Sequence, residues 1–104
     1  LIAVPHAGRD YPVEVSNAMR NPEWGSSRLE DRFADRLGEA VAAATGAALL
    51  VAHAPRAMID LNRAPDDIDW SMVAGAAARR TPHSLANRRA RSGLGLVPRR
   101  LPGL

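Results

Sequence analysis

Two short apolar runs bracket one amphipathic segment near the start of this chain, and that order restricts its fold more than any other feature. Leu1-Ile2-Ala3-Val4 and Ala47-Ala48-Leu49-Leu50-Val51-Ala52 are too short for helices and read as buried strands. Between them, Ser27-Arg28-Leu29-Glu30 has the spacing of a capping box at a helix start. Leu29, Phe33, Leu37, Ala40, Val41 and Ala44 then recur on one helical face, and Thr45-Gly46 supplies the stop. Strand, helix and strand in this order predict a parallel pair joined by a crossover, and hence an α/β fold.

The other segments are weaker. Pro5 ends the first strand because proline cannot donate to a sheet ladder. Val13 to Met19 is predicted as a short helical turn, and Asn21 to Ser26 as a loop by its turn residues. Ala64-Pro65-Asp66-Asp67 reads as a turn cluster, and Ser71 to Arg80 as a short Ala-rich helix. The remaining residues, with Pro82, Gly93, Gly95, Pro98, Pro102 and Gly103, read as irregular. No internal repeat or linker divides residues 1–104, which are taken as part of a single domain.

Composition removes several classes of function. With 104 residues there is room for one modest core, and much of the 46% apolar content is alanine, which removes little surface from water when buried. The absence of cysteine excludes disulfides and thiolate metal sites and is compatible with a cytoplasmic enzyme. All basic residues are arginine, so a lysine nucleophile or Schiff base is excluded within these residues. No run approaches the roughly 20 apolar residues of a membrane span. Residues 1–69 carry seven arginines against eleven acids, whereas residues 70–104 carry seven arginines and no acid. That asymmetry is one mark of a nucleic-acid-binding arm, and equally of a segment that pairs with acids elsewhere.

The chemistry concentrates after the two strands. Ligands of open α/β sheets bind at the carboxyl ends of parallel strands, where His6 and the segment Arg56 to Arg63 are expected to lie. Arg56-Ala57-Met58-Ile59-Asp60-Leu61-Asn62-Arg63 sets two guanidiniums and a carboxamide around a short apolar centre. Arginine is well shaped to hold a carboxylate through two parallel hydrogen bonds, and asparagine adds an orienting donor and acceptor. The plain alternative is an Asp60–Arg63 ion pair at a strand end. His6 is either a metal donor through a neutral imidazole or a loop histidine bonded to nearby backbone. His53 reads as an ordinary strand-end histidine and His83 as an exposed one. Gly93-Leu94-Gly95 is too short for a phosphate loop and follows no strand, which rejects nucleotide binding. Trp24 and Trp70 are too isolated for a stacking platform.

Four segments in order resemble the N-formylglutamate amidohydrolase (N-formylglutamate deformylase) family: Pro5 to Pro12, Leu29 to Leu37, Arg56 to Arg63, and Gly93 to Arg99. The resemblance implies a three-layer α/β architecture with a mostly parallel or mixed sheet, of the zinc-carboxypeptidase-like kind. It also implies a cytoplasmic, metal-dependent hydrolase of histidine degradation that cleaves a small-molecule N-formyl or N-acyl amino acid. Zinc is the expected metal, with His6 and Asp31 as its ligands; Glu30 and Asp10 stay open as the second one. At helical spacing Glu30 flanks the apolar stripe while Asp31 points away from it. Arg56, Asn62 and Arg63 would bind the substrate carboxylates, and Arg63 would also polarise the scissile carbonyl.

The sequence departs from the family pattern at Arg32, where a tryptophan is usual, and at Arg9, where related enzymes place an acid three residues after the first histidine. The chain begins inside a strand and supplies two expected ligands, so it is taken as the N-terminal portion of such an enzyme, inactive alone. The competing functions are an arginine-rich nucleic-acid-binding module using residues 79–104 and an inactive relative of the family. Neither a membrane partner nor a particular oligomeric state is indicated.

Overall fold

The computed structural model describes residues 1–75 and 88–101. It falls into two compact units, Leu1–Ile59 and Asp60–Leu104. No helix among the described residues is long and apolar enough to cross a membrane.

The first unit holds the strand–helix–strand core. Strand β1 (Ile2–Val4) pairs in parallel with β2 (Leu49–Val51), in the register Ile2↔Leu49, Ala3↔Leu50, Val4↔Val51. This α/β arrangement is the one expected from the apolar runs, with each strand trimmed to three residues. The short helix α1 (Val13–Ala18) also lies where the helical turn was expected.

The connection differs. The expected single helix from Ser27 is two helices, α2 (Pro22–Leu29) and α3 (Ala34–Thr45), separated by a break at residues 30–33. Residues 22–26, expected as loop, form most of α2. Its N-cap is Asn21, whose Oδ1 accepts the Trp24 backbone N–H at 3.2 Å, with Pro22 just inside the start, where its missing N–H costs nothing. Ser27 is inside the helix instead, its Oγ donating to the Trp24 carbonyl at 2.9 Å. Replacing Asn21 with alanine should therefore lower stability by about 1 kcal/mol in urea unfolding, whereas Ser27→Ala should leave it within about 0.5 kcal/mol.

Phe33, with φ of 65°, is the left-handed residue that turns the chain from the break into α3. The face of α3 that meets the sheet is not the expected one. The apolar stripe of Phe33, Leu37 and Val41 is exposed, and Gly38 is the buried contact. A Cβ on Gly38 would stand 2.7 Å from Val4 Cγ2 and 3.2 Å from Leu49 Cδ1, so its absence lets the helix backbone settle against both strands. The helix ends at Gly46 as expected, in the left-handed conformation.

In the second unit, residues 71–80 were expected as a helix. The described part is a 3₁₀ turn, Trp70–Met72, followed by extended Val73; residues 76–80 lie outside the described residues. One helical turn, α4 (Arg88–Arg91), interrupts the stretch read as irregular. Among the described residues of this unit, a buried carboxylate ties two segments together. Asp67, almost fully buried, accepts the Ala90 backbone N–H at 2.9 Å through Oδ1, and its carbonyl accepts the Leu96 N–H at 2.6 Å.

Candidate functional site

His6 sits where β1 exits into the loop after Pro5, and the helix break at residues 30–33 is tied to it. The Asp31 backbone N–H donates to the His6 carbonyl at 2.9 Å, and Asp31 Oδ2 stands 3.4 Å from His6 Nδ1. The imidazole is buried and the carboxylate is largely exposed, at 8% and 58% of their side-chain surfaces. Asp31 lies outside both helices, so the helical spacing that turned it away from the apolar stripe does not apply.

The neighbouring acid faces another partner. Glu30 pairs with Arg9 Nε and is mostly buried. Arg9 thereby occupies the position where an acid was expected, and it donates from Nε to Glu30 instead of offering a carboxylate. Tyr11 is half-buried beside this pair; burial and, secondly, the Glu30 carboxylate push its phenol above the ordinary tyrosine value. The folded chain is thus expected to resist tyrosinate formation. Its Tyr11-linked stability should be full below about pH 10 and fall as the pH rises through the folded value. Ultraviolet titration should place the Tyr11 midpoint above 10, and Glu30→Gln should bring it down.

Asp10, the third acid left open, lines a groove that His6 does not line; its backbone N–H is bonded to the His53 carbonyl at 3.2 Å. His53 is exposed, and His83 lies outside the described residues. Gly8 is the reason this loop can approach β2: a Cβ there would collide with the carbonyl oxygens of His53 and Ala54.

The His6–Asp31 pair fits two corners of a metal site. In a tetrahedral zinc centre with bonds of about 2.0–2.2 Å, neighbouring donors stand about 3.3–3.5 Å apart. The 3.4 Å separation of Nδ1 and Oδ2 falls in that range. Among the described residues, no group of three histidine, aspartate or glutamate side chains is close enough to hold a metal.

Asp60, Asn62 and Arg63 belong to the second unit and form a local turn. Asp60 is fully buried; its Oδ1 accepts the Asn62 N–H at 2.9 Å, and Arg63 Nε stands 3.7 Å from its Oδ2. Arg63 donates from Nε to the Leu94 carbonyl at 2.9 Å and from Nη1 to the Asn62 carbonyl at 3.0 Å. These bonds leave Nη2 as the nitrogen with no hydrogen bond among the described residues, and the side chain is 15% exposed. Asn62 is exposed, and Arg56, at the end of the first unit, is half-buried.

Sequence reasoning missed two anchors here. Asp67 was read only as a turn residue, and the Gly93–Gly95 segment as bare family sequence. Gly95 packs against the Asp67 carbonyl and 3.1 Å from Ala90, had it a Cβ. The Leu94 carbonyl of the same segment receives Arg63. These links join residues more than twenty positions apart, which no local periodicity captures. Among the arginines of the basic half, Arg99 is paired with Asp69 at 2.9 Å, while Arg79 and Arg80 lie outside the described residues.

No curated protein and no solved structure matched the chain. The profile of the N-formylglutamate amidohydrolase family matches residues 1–103, covering all four segments that carried the resemblance. On that match the chain belongs to the N-formylglutamate amidohydrolase family, a family of hydrolases.

Proposed function

We propose that this chain is part of a metal-dependent amidohydrolase that hydrolyses an N-formyl or N-acyl amino acid, such as N-formylglutamate, to the free amino acid and the carboxylic acid. The observation that carries it is the apposition of His6 and Asp31 at the carboxyl end of β1 in a chain of this family. His6 and Asp31 would hold the metal, with zinc favoured by the mixed nitrogen and oxygen donors. When bound, that ion would supply a Lewis acid and an activated water for amide hydrolysis.

The chain's own contribution is positioning and charge. The Asp31 N–H bond to the His6 carbonyl holds both donors at one place, and the Glu30–Arg9 pair holds the loop on the other side. Arg63, braced through two of its nitrogens, presents Nη2 with its orientation already set, which suits a carboxylate or a developing oxyanion. Arg56 and Asn62 complete the proposed substrate-binding set. The proposal includes the zinc-carboxypeptidase-like architecture and a cytoplasmic location.

The test is formate release from N-formyl-L-glutamate by the full-length gene product, with and without a chelator. Release that a chelator abolishes and zinc restores supports this function. Chelator-insensitive release removes the metal, and absence of release across several N-acyl amino acids with metal supplied removes the substrate class. Residues 1–104 alone are expected to release no formate, because a catalytic zinc takes three protein ligands and the described residues bring two together.

A further inference from the structure

The pairing of Arg9 with Glu30 acts on the residue next to it. Glu30 leaves α2 in an extended conformation, with φ of -88° and ψ of 130°. Successive side chains of an extended backbone point to opposite sides. Two adjacent acids are thereby sent apart, Glu30 to Arg9 Nε and Asp31 to His6 Nδ1.

Arg9 is anchored at its own end. Gly8 packs against the His53 and Ala54 carbonyls just past β2, and the Asp10 N–H donates to the His53 carbonyl at 3.2 Å. The residue between these two anchors has a fixed backbone, and its side chain carries that position across to the helix break. There the Asp31 N–H bonds to the His6 carbonyl at 2.9 Å, and the Asp31 carbonyl accepts the Ala34 N–H at 3.1 Å. The Asp31 carboxylate itself is largely exposed, so packing does little to fix where it points. Its aim comes from the backbone beneath it.

We infer that Arg9 is a positioning residue for the metal site. By holding Glu30, it fixes the backbone from which Asp31 reaches toward His6, and it keeps the neighbouring carboxylate from competing for the ion. This inference rests on the proposed function, in which His6 and Asp31 hold the metal. Charge alone would act the other way. A guanidinium beside a cation site opposes binding, so its removal should tighten zinc if electrostatics were its whole effect. Positioning predicts the reverse, because outer partners of metal ligands are worth about 10–100-fold in affinity.

The test measures zinc affinity of the full-length protein by competition with a chromophoric chelator, beside kinetics at saturating zinc. Arg9→Met should weaken zinc binding about tenfold. Arg9→Lys keeps a cation within reach of Glu30 and should recover most of that loss. Arg9→Met also leaves the mostly buried Glu30 without its cation, which lowers stability. Combining it with Glu30→Gln removes that charge, so stability should return while the zinc deficit remains. At saturating zinc, KM for N-formyl-L-glutamate should match the parent. Zinc affinity that is unchanged or tighter in Arg9→Met, or recovered in the double variant, would overturn the inference. So would a raised KM with normal zinc affinity, which would make Arg9 a substrate contact. A zinc loss in Glu30→Gln as large as in Asp31→Ala would also overturn it, by making Glu30 the ligand. His6→Ala, run in parallel, separates this inference from the reading beneath it. If the parent binds no zinc or His6→Ala keeps it, the metal site itself fails; if His6→Ala loses zinc and Arg9→Met keeps it, the positioning role alone fails.

Discussion

Asp60→Ala is expected to destabilise the chain by about 3–5 kcal/mol, the range for removing one partner of a buried ion pair. Asp60 is completely buried, and the Arg63 guanidinium beside it is 15% exposed. Without the carboxylate, Arg63 keeps its bonds to the Leu94 and Asn62 carbonyls but loses the negative charge 3.7 Å from Nε. The Asn62 N–H simultaneously loses its acceptor. Asp60→Asn retains an oxygen at that position and removes mainly the charge, so its cost should be smaller, about 1–3 kcal/mol. Urea unfolding of the two variants beside the parent separates charge from hydrogen bonding. A cost below about 1 kcal/mol for Asp60→Ala would show that the Asp60–Arg63 pair does not hold this turn.

The parts of the fold that could be read from the sequence are those set by local pattern. The runs around Ile2–Val4 and Leu49–Val51 are apolar, short and bounded by Pro5 and Gly46, and they form the parallel pair expected of them. The helix between them was misread for a physical reason. The Ser27-x-x-Glu30 spacing is the same whether the serine caps a helix or bonds to the carbonyl three residues back within one. What decides between them is tertiary: Glu30 is drawn to Arg9 and Asp31 to His6, and the helix breaks there. Hydropathy then favoured Phe33, Leu37 and Val41 as the core face, because it gives glycine no weight. Yet Gly38 is the residue that lets α3 reach the sheet.

The candidate site shows the same division. His6, Asp31 and Arg63 stand out as candidates because their residue types suit a metal and an anion, and the structure sets Asp31 against His6. Their surroundings were not legible in the sequence. That Arg63 is braced by the Leu94 carbonyl depends on a contact across 31 residues, and Asp67 holds Ala90 across 23. Phe33 adds a left-handed backbone at the helix break that carries Asp31, a conformation that costs about 1–3 kcal/mol and persists only where its surroundings enforce it. Two observed ties enforce it here, the Asp31 N–H bond to the His6 carbonyl and the stacking of Arg36 on the Phe33 ring at 5.3 Å.

On the proposed function, His6→Ala is expected to reduce turnover of N-formyl-L-glutamate by at least about 10²-fold, since loss even of an outer partner of a metal ligand costs 10–100-fold. The fold should survive the change. The bond that holds the helix break uses the His6 backbone carbonyl, which alanine keeps. The imidazole itself is buried, and truncating it should cost about 1–3 kcal/mol in unfolding experiments. Bound metal per chain supplies the readout that a merely structural histidine would not move: it should fall with His6→Ala, and also with Asp31→Ala. Asp31 is largely exposed, so its truncation should leave stability within about 0.5 kcal/mol while removing one donor. Full metal content and turnover in both variants would assign the His6–Asp31 contact to packing of the helix break alone. Loss of both quantities in both variants, with the fold retained, would be hard to reconcile with any role for the pair except holding the ion.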